Sequence, residues 1–457
     1  MLPGRESAEQ FAKKFHKKIS SVYSEEELNT LGKEVGFIKR QSKLTPLMFV
    51  DTVLFKDASN AVISLQDHCV GLKHRYGLSI KKQSLDERFD ASAVDFIQEL
   101  LKRHLANQIT SVLDKGKLCE SLRHFSSIKI KDSTRFQVPG CLSKHYPGSA
   151  GGASGAGIHI QYEFDILKGK VNDLHVTHAL KQDTTDAQET MSSIEKGSLI
   201  IRDLGYFSSR VLDHVETQKA YYITRPKAGI TLCSQRTGKK IEFEKIYQKM
   251  RRQKLSSMEL PVYASKNNLA TRLIIEMIPD KEVQKRLRIA QKASKKQGWT
   301  MSNEFKSRMR LNLFMTNIPS AWVATQEVRR IYQLRWQIEL RFKAWKSFYG
   351  LDAIKKMHLH RFECYLYATL LLLMIHIEIG NQFFCILWKH TEKPLSFLKF
   401  LKTTSQGNMT LREGLLKQTE KIISYVKLLY EASYENFLTE KRHHHSPLEN
   451  ILRPSID

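Results

Sequence analysis

Between Thr325 and Phe348 (TQEVRRIYQLRWQIELRFKAWKSF) the chain sets one carboxylate, Glu339, among a phenol and several cations: Tyr332, Arg335, Lys343 and Lys346. The stretch has no Pro or Gly, opens on a capping residue, Thr325, and stops just short of Gly350, so it predicts one helix. At about 100° per residue, Tyr332, Arg335, Glu339 and Lys346 fall within about 60° of one another, with Lys343 roughly 40° further round. Ile331, Leu334, Ile338, Phe342 and Trp345 fill the adjoining arc, an apolar stripe that would dock the helix. A carboxylate among phosphate-gripping cations is itself repelled by phosphate unless a metal ion stands between them. The same spacing also fits an ordinary amphipathic helix held by i,i+4 pairs such as Glu339–Lys343.

Further carboxylates stand where strands are predicted. At about residue 125 the pattern changes from a helical period to a period of two, and Ile128-Lys129-Ile130-Lys131-Asp132 puts Asp132 on the apolar face of a strand. A charge ending such a face needs a partner or a metal. Pro147–Gly157 (PGSAGGASGAG) lacks a phosphate-loop ending and reads as a long flexible connection. Residues 158–166 and 170–177 read as a hairpin, residues 183–194 as a capped helix, and Ser198–Arg202 as a buried strand running into Asp203-Leu204-Gly205-Tyr206. A helix at 208–217 and a strand at 220–224 follow. Asp165 is the nearest other acid on the strand after Asp132.

Tyr332-x2-Arg335-x3-Glu339-x6-Lys346 resembles the YREK signature of bacterial insertion-sequence transposases of the insertion sequence 4 family. Asp132-Ser133-Thr134 and Asp203-Leu204-Gly205-Tyr206 each resemble a block of that family, and the resemblance covers roughly residues 60–390. It implies an α/β chain with an RNase H-like catalytic core, in the order three strands, helix, strand, helix, strand and a later catalytic helix. It further implies that Asp132, Asp203 and Glu339 form a triad holding two Mg2+ ions per active site, with Mn2+ as a substitute. Tyr332, Arg335 and Lys346, with Lys343 beside them, would then hold phosphates of the transposon end. The implied reaction is cut-and-paste transposition: binding of terminal inverted repeats, strand cleavage, and transfer into target DNA by a homodimer in a synaptic complex. A hairpin intermediate is known in the family, and nothing in this sequence bears on it.

Composition agrees with a polyanionic partner. The 457 residues are 41% hydrophobic, enough for a multidomain globular chain, and carry a formal charge of +26, extreme for a metabolic enzyme. The apolar run Leu370–Ile379, interrupted by His376 and Glu378, is too short to span a bilayer, and the chain opens on polar, charged residues. The six cysteines are scattered with no CxxC, which favours reduced thiols over disulfides or a zinc site. Taken with the resemblance, which implies a bacterial and nucleoid-associated setting, these features fit a cytoplasmic protein that acts on DNA and has no membrane partner.

The remaining segments give the expected domain plan: 1–120 an α-helical DNA-binding region, 121–225 the first part of the core, 226–318 a β-rich insertion, 319–357 the catalytic helix and 358–457 a helical C-terminal region. Ala61–Tyr76, Gly77 and Ile80–Phe89 outline a helix-turn-helix in which Lys81, Lys82, Gln83, Ser84 and Arg88 would face DNA. Gln83 could read adenine, whereas the lysines would position the backbone. A helical bundle with a solvated basic face fits the same pattern. Within the insertion, Lys227–Glu244 and Leu260–Ile278 alternate like strands and Lys281–Trp299 is basic and helical. The family resemblance implies a tryptophan here that stacks on a flipped base. The corresponding position is Asn312, a departure, and Trp299 and Phe305 are nearby substitutes, with simple burial of Trp299 the alternative. His443-His444-His445 reads as part of a basic tail. A DNA-binding relative that does not cut, and an RNase H-like nuclease without strand transfer, are the competing readings.

Overall fold

The computed structural model describes residues 2–40, 42–55, 64–149, 154–227, 229–264, 269–439 and 447–453. Its strands are β1 (Ser127–Gln137), β2 (Gly157–Asp165), β3 (Lys170–His178), β4 (Ser198–Arg202), β5 (Tyr221–Thr224), β6 (Leu232–Ser234), β7 (Ser257–Ala264), β8 (Leu269–Met277) and β9 (Leu311–Thr316). They form one nine-stranded sheet in the order β3-β2-β1-β4-β5-β9-β8-β7-β6. β1, β4 and β5 run parallel, with Lys131 opposite Arg202, and the β2–β3 hairpin is antiparallel. Helices Asp183–Glu189 and Ser209–Thr217 stand before and after β4, so the element order is three strands, helix, strand, helix, strand, the order that the family resemblance implies.

By contacts the chain divides into two compact units. The first comprises Met1–Lys117, Ser133–Lys181 and Trp336–Arg453, and the second includes Leu118–Asp132 and Gln182–Arg335.

In the second unit, β4, β5 and β6 to β9 share one apolar cluster, drawing on Ile200, Tyr222, Leu232, Val262, Leu273 and Leu313. The segment 226–318 thus adds strands to the sheet and residues to the same core. It is less β-rich than expected: among the described residues from Lys227 to Glu244 only Leu232–Ser234 is a strand, and Phe243–Arg252 is a helix. Gly238, at φ +65°, turns the chain back after β6. Phe243, Ile246, Tyr247 and Met250 then follow the i, i+3, i+4, i+7 spacing of a docked helix.

The first unit is organised around the helix Leu359–Thr391. By length and composition this helix could cross a membrane, but its apolar window is entirely buried in the protein, as a core helix is. Helices Arg5–Tyr23, Pro46–Leu54, Ala91–Ala106 and Lys421–Asn436 pack on it, so N-terminal and C-terminal regions build one helical body. Its buried Glu378 is satisfied by distant partners. Glu378 pairs with Lys18 and His104 and accepts the Ile109 N–H at 2.7 Å. A second buried acid, Asp51, takes Arg75 at 2.9 Å, Arg412 at 2.6 Å and the Tyr76 hydroxyl at 3.0 Å.

Local expectations differ from the structure at several points. The helix predicted from Ala61 begins at Leu65, with residues 61–63 outside those described. The helix that Asp90-Ala91-Ser92 opens, expected to run to about Leu113, ends at Ala106. The glycine-rich connection is pinned at its ends, where Gly148 N–H donates to Gly155 and Gly157 N–H to Tyr146, both at 2.9 Å, and residues 150–153 lie outside those described. The triple histidine at 443–445 also lies outside them.

Candidate active site

Asp132 and Asp203 each follow the last paired residue of two neighbouring parallel strands, Lys131 of β1 being in register with Arg202 of β4. The carboxyl ends of parallel strands are where open α/β sheets bind ligands. Asp132 is half-buried near the middle of β1, whose first five residues are covered on both faces. The alternation there is apolar against basic, and not buried against exposed. Lys129 donates to the Ser193 carbonyl at 2.7 Å, and Lys131, fully buried, pairs with Asp186 at 2.7 Å and reaches Thr190 at 3.2 Å. Asp203 directly precedes the 3-10 turn Leu204–Tyr206 in extended backbone. A Cβ on Gly205 would meet Asp183 Oδ2 at 3.0 Å, a tight approach between this turn and the helix Asp183–Glu189.

The predicted single helix is two helices, Thr325–Tyr332 and Trp336–Tyr349, joined by a 3-10 turn at Gln333–Arg335. Its cap is Ala324, whose N–H is taken by Glu327 at 3.0 Å, while the Thr325 hydroxyl donates to Glu259 at 2.8 Å. A 3-10 turn winds about 120° per residue, so side chains three apart eclipse. Tyr332 and Arg335 are three apart, and the Arg335 guanidinium lies 5.9 Å from the Tyr332 ring centre. Arg335 Nη1 donates to Asp132 Oδ2 at 2.8 Å, and its Nε stands 4.0 Å from Asp203 Oδ1. The Tyr332 hydroxyl donates to the same Asp203 oxygen at 3.4 Å. Burial, opposed by Arg335 and aided by Asp203, pushes the Tyr332 phenol up to about 12, so it acts as a neutral donor. In this unit, then, four residues chosen from sequence converge: two acids, one guanidinium and one phenol.

The remaining residues of the motif belong to the first unit. Glu339 is half-buried in the first turn of Trp336–Tyr349. Lys346 donates to the Arg135 carbonyl at 3.0 Å beside the Phe136 ring, and Lys343 is exposed. The helix is held by Trp345, buried edge-on against Tyr162, and by Arg341, which the sequence reading missed. Arg341 is buried between Phe164 and Phe397 and donates to Tyr162 and Asn381 at 3.2 and 3.1 Å. Nothing in its i,i+4 surroundings distinguishes Arg341 from a solvated arginine. Asp165 is buried and caps the hairpin turn through the N–H groups of Leu167 and Lys168.

In the N-terminal region the helix Leu65–Tyr76 ends at Gly77, and the helix after it is short, Lys82–Asp86, where Ile80–Phe89 was expected. Lys81, Lys82, Gln83 and Ser84 are exposed, Gln83 donating to Glu87 at 3.2 Å. Arg88 is half-buried and donates to Ser42. Asp86 ties this element to His358 and Arg361 at 3.0 and 2.7 Å. In the insertion Trp299 is partly exposed, with its edge against Phe305 and its indole N–H on Gln297. Asn312 is buried on β9 and accepts from Arg286 at 2.9 Å.

Residues 123–375 match the family described as Transposase DDE domain. The chain belongs to that family. The transposase is 30% identical to the transposase for insertion sequence element IS231D of Bacillus thuringiensis subsp. finitimus, over 93% of this chain and 92% of the relative. It is 28% identical to that for IS231B of Bacillus thuringiensis subsp. berliner over the same shares, and 25% identical to that for IS1151 of Clostridium perfringens over 96% and 95%. Among solved structures, the cryo-EM piggyBac transposase synaptic complex with hairpin DNA covers 94% of this chain and 86% of its own at a TM-score of 0.42 and 11% identity, too distant to carry weight. The protein is a DNA transposase of insertion-sequence type, a DDE polynucleotidyl transferase that acts on DNA with divalent metal ions. Asp132 and Asp203 fit such ions: both offer carboxylate oxygens, the donors that hard divalent cations take, and both stand within reach of the one Arg335 guanidinium.

Proposed function

We propose that this transposase moves its element by cut-and-paste and is a member of the insertion sequence 4 family, with Tyr332, Arg335, Glu339 and Lys346 as its YREK residues. Asp132, Asp203 and Glu339 are the catalytic acids and hold two Mg2+ ions, which Mn2+ can replace. The observation that carries this reading is the Arg335 guanidinium set against both Asp132 and Asp203. Glu339 joins them on the strength of its spacing from Arg335 in the sequence. Bound divalent ions supply a nucleophilic oxygen and stabilise the leaving 3′ oxygen. The chain's own residues bind and orient the DNA. Arg335 forks two phosphate oxygens, Tyr332 adds a neutral donor, and Lys346 and Lys343 supply point charges.

Away from the acids, exposed Lys81, Lys82 and Gln83 contact the terminal repeat with Arg88 supporting their short helix, and Trp299 offers a ring for an unpaired base. Residues 226–318 act as the family's insertion, and the working complex is a homodimer on two ends in the bacterial cytoplasm and nucleoid.

The test compares Asp132→Asn, Asp203→Asn and Glu339→Gln with wild type on an end-labelled terminal repeat in Mg2+. Nicking should fall below detection for each, while gel-shift affinity stays within a few-fold, because a metal-holding carboxylate adds little to phosphate binding. Near-normal cutting by the Asp132 variant would reject the assignment.

A further inference from the structure

The helix Asp280–Gln297 carries a cationic surface that the active site does not use. Only Val283 and Ser294 on it are buried. At about 100° per residue Val283, Ala290 and Ser294 fall within about 40° of one another and define the docked face. Lys281, Lys285, Arg288, Lys292 and Lys295 recur every three or four residues and fall within about 80°, centred opposite that face. All five are exposed. Asp280 and Glu282 lie about 100° to either side, so no carboxylate interrupts the stripe. Neighbours along it are like charges at i,i+3 and i,i+4, an arrangement that destabilises a helix. With so little apolar burial to offset the repulsion, the helix is one that a polyanion would stabilise.

We propose that this stripe binds the phosphate backbone of duplex DNA outside the terminal sequence. Its span from Lys281 to Lys295 is about 21 Å at 1.5 Å per residue, close to six base pairs at about 3.4 Å each. Four of the five cations are lysines, point charges that position a duplex without reading its bases. The proposal rests on the DNA-transposing activity, but it assigns to DNA an element apart from the acids.

The test replaces Lys281, Lys285, Arg288, Lys292 and Lys295 together with Gln in the full chain. A control variant removes five exposed lysines elsewhere, Lys13, Lys17, Lys389, Lys393 and Lys402, for an equal loss of charge. Affinity for a duplex of unrelated sequence is measured from 50 to 200 mM salt. Each phosphate contact contributes about 0.9 to the slope of log K against log salt. The stripe variant should therefore show a slope shallower by about 2 to 4.5, and the control less than half that change. A five-arginine version should restore binding, and the Gln variant should melt no lower than wild type because repulsion has been removed. Equal slopes for wild type and stripe variant, or equal losses in stripe and control variants, would overturn the proposal. Nicking of the terminal repeat by wild type is scored alongside: its absence counts against the catalytic assignment, whereas normal nicking with an unchanged slope counts against the stripe alone.

Discussion

Replacing Arg335 by Ala should tighten metal binding to the DNA-free protein. In the structure one guanidinium serves Asp132 at 2.8 Å and faces Asp203 at 4.0 Å, with the Arg335 and Asp132 side chains each only 16% exposed. A hydrogen bond between charged groups contributes about 1.5–3 kcal/mol. An ion that takes these carboxylates must first displace the guanidinium, so its loss should lower the Mn2+ dissociation constant by roughly ten- to a hundredfold. Titration calorimetry, or Mn2+ electron paramagnetic resonance without DNA, reads this directly and needs no turnover. Adding a terminal-repeat duplex should bring wild type towards the variant, because phosphate then takes the guanidinium from the acids. Without metal the variant should also be less stable, by about 1–2 kcal/mol in urea, since two carboxylates lose their shared cation. Metal affinity that is unchanged or weaker in Arg335→Ala would refute the reasoning and leave Arg335 a mere phosphate contact.

Three further outcomes are expected. Lys81→Glu with Lys82→Glu should weaken terminal-repeat binding and flatten its salt dependence, whereas Gln83→Ala should relax preference at one base pair, as gel shifts on single-substitution repeats will show. Glu378→Leu should cost about 3–5 kcal/mol in urea unfolding by stranding the buried Lys18 charge, and adding Lys18→Met should restore most of it. His376, buried against Tyr349 at 2.7 Å, is pushed down by burial to about 3 from an ordinary value near 6.5. A depressed group contributes fully above its unfolded value, so stability should fall by up to about 1.4 kcal/mol per pH unit from pH 6.5 towards 3. His376→Phe should remove that slope in urea melts at pH 7, 6 and 5.

Much of this arrangement is local in the sequence and was legible there. The period-two strand around Asp132, the buried apolar strand before Asp203, the hairpin between β2 and β3 and the order of helices all follow from short-range pattern. What escaped are features whose causes lie far along the chain. His376 and Glu378 look like interruptions of an apolar run. The fold instead uses them to join the core helix to Tyr349, and to Lys18 and His104. Lys129 and Lys131 look like the solvent face of β1, yet Ser193 and Asp186 receive them inside. Arg341 looks like a surface cation, yet Tyr162 and Asn381 need it buried. In each case an amphipathic pattern marks which residues are apolar but cannot show which charges will find partners.

The 3-10 turn at Gln333–Arg335 shows what such a distant cause does to a site. A continuous α-helix would leave Tyr332 and Arg335 about 60° apart round the axis, whereas the tighter winding eclipses them. Leu334, between them, is fully buried, and Arg335 is drawn to Asp132. The sequence pattern alone could place phenol and guanidinium on one broad face. The turn sets them in line, so that a single pair of acids, Asp132 and Asp203, receives both. The geometry that matters to the chemistry is thus set by tertiary contacts acting on three residues of backbone, in a stretch whose composition would otherwise continue as an uninterrupted helix.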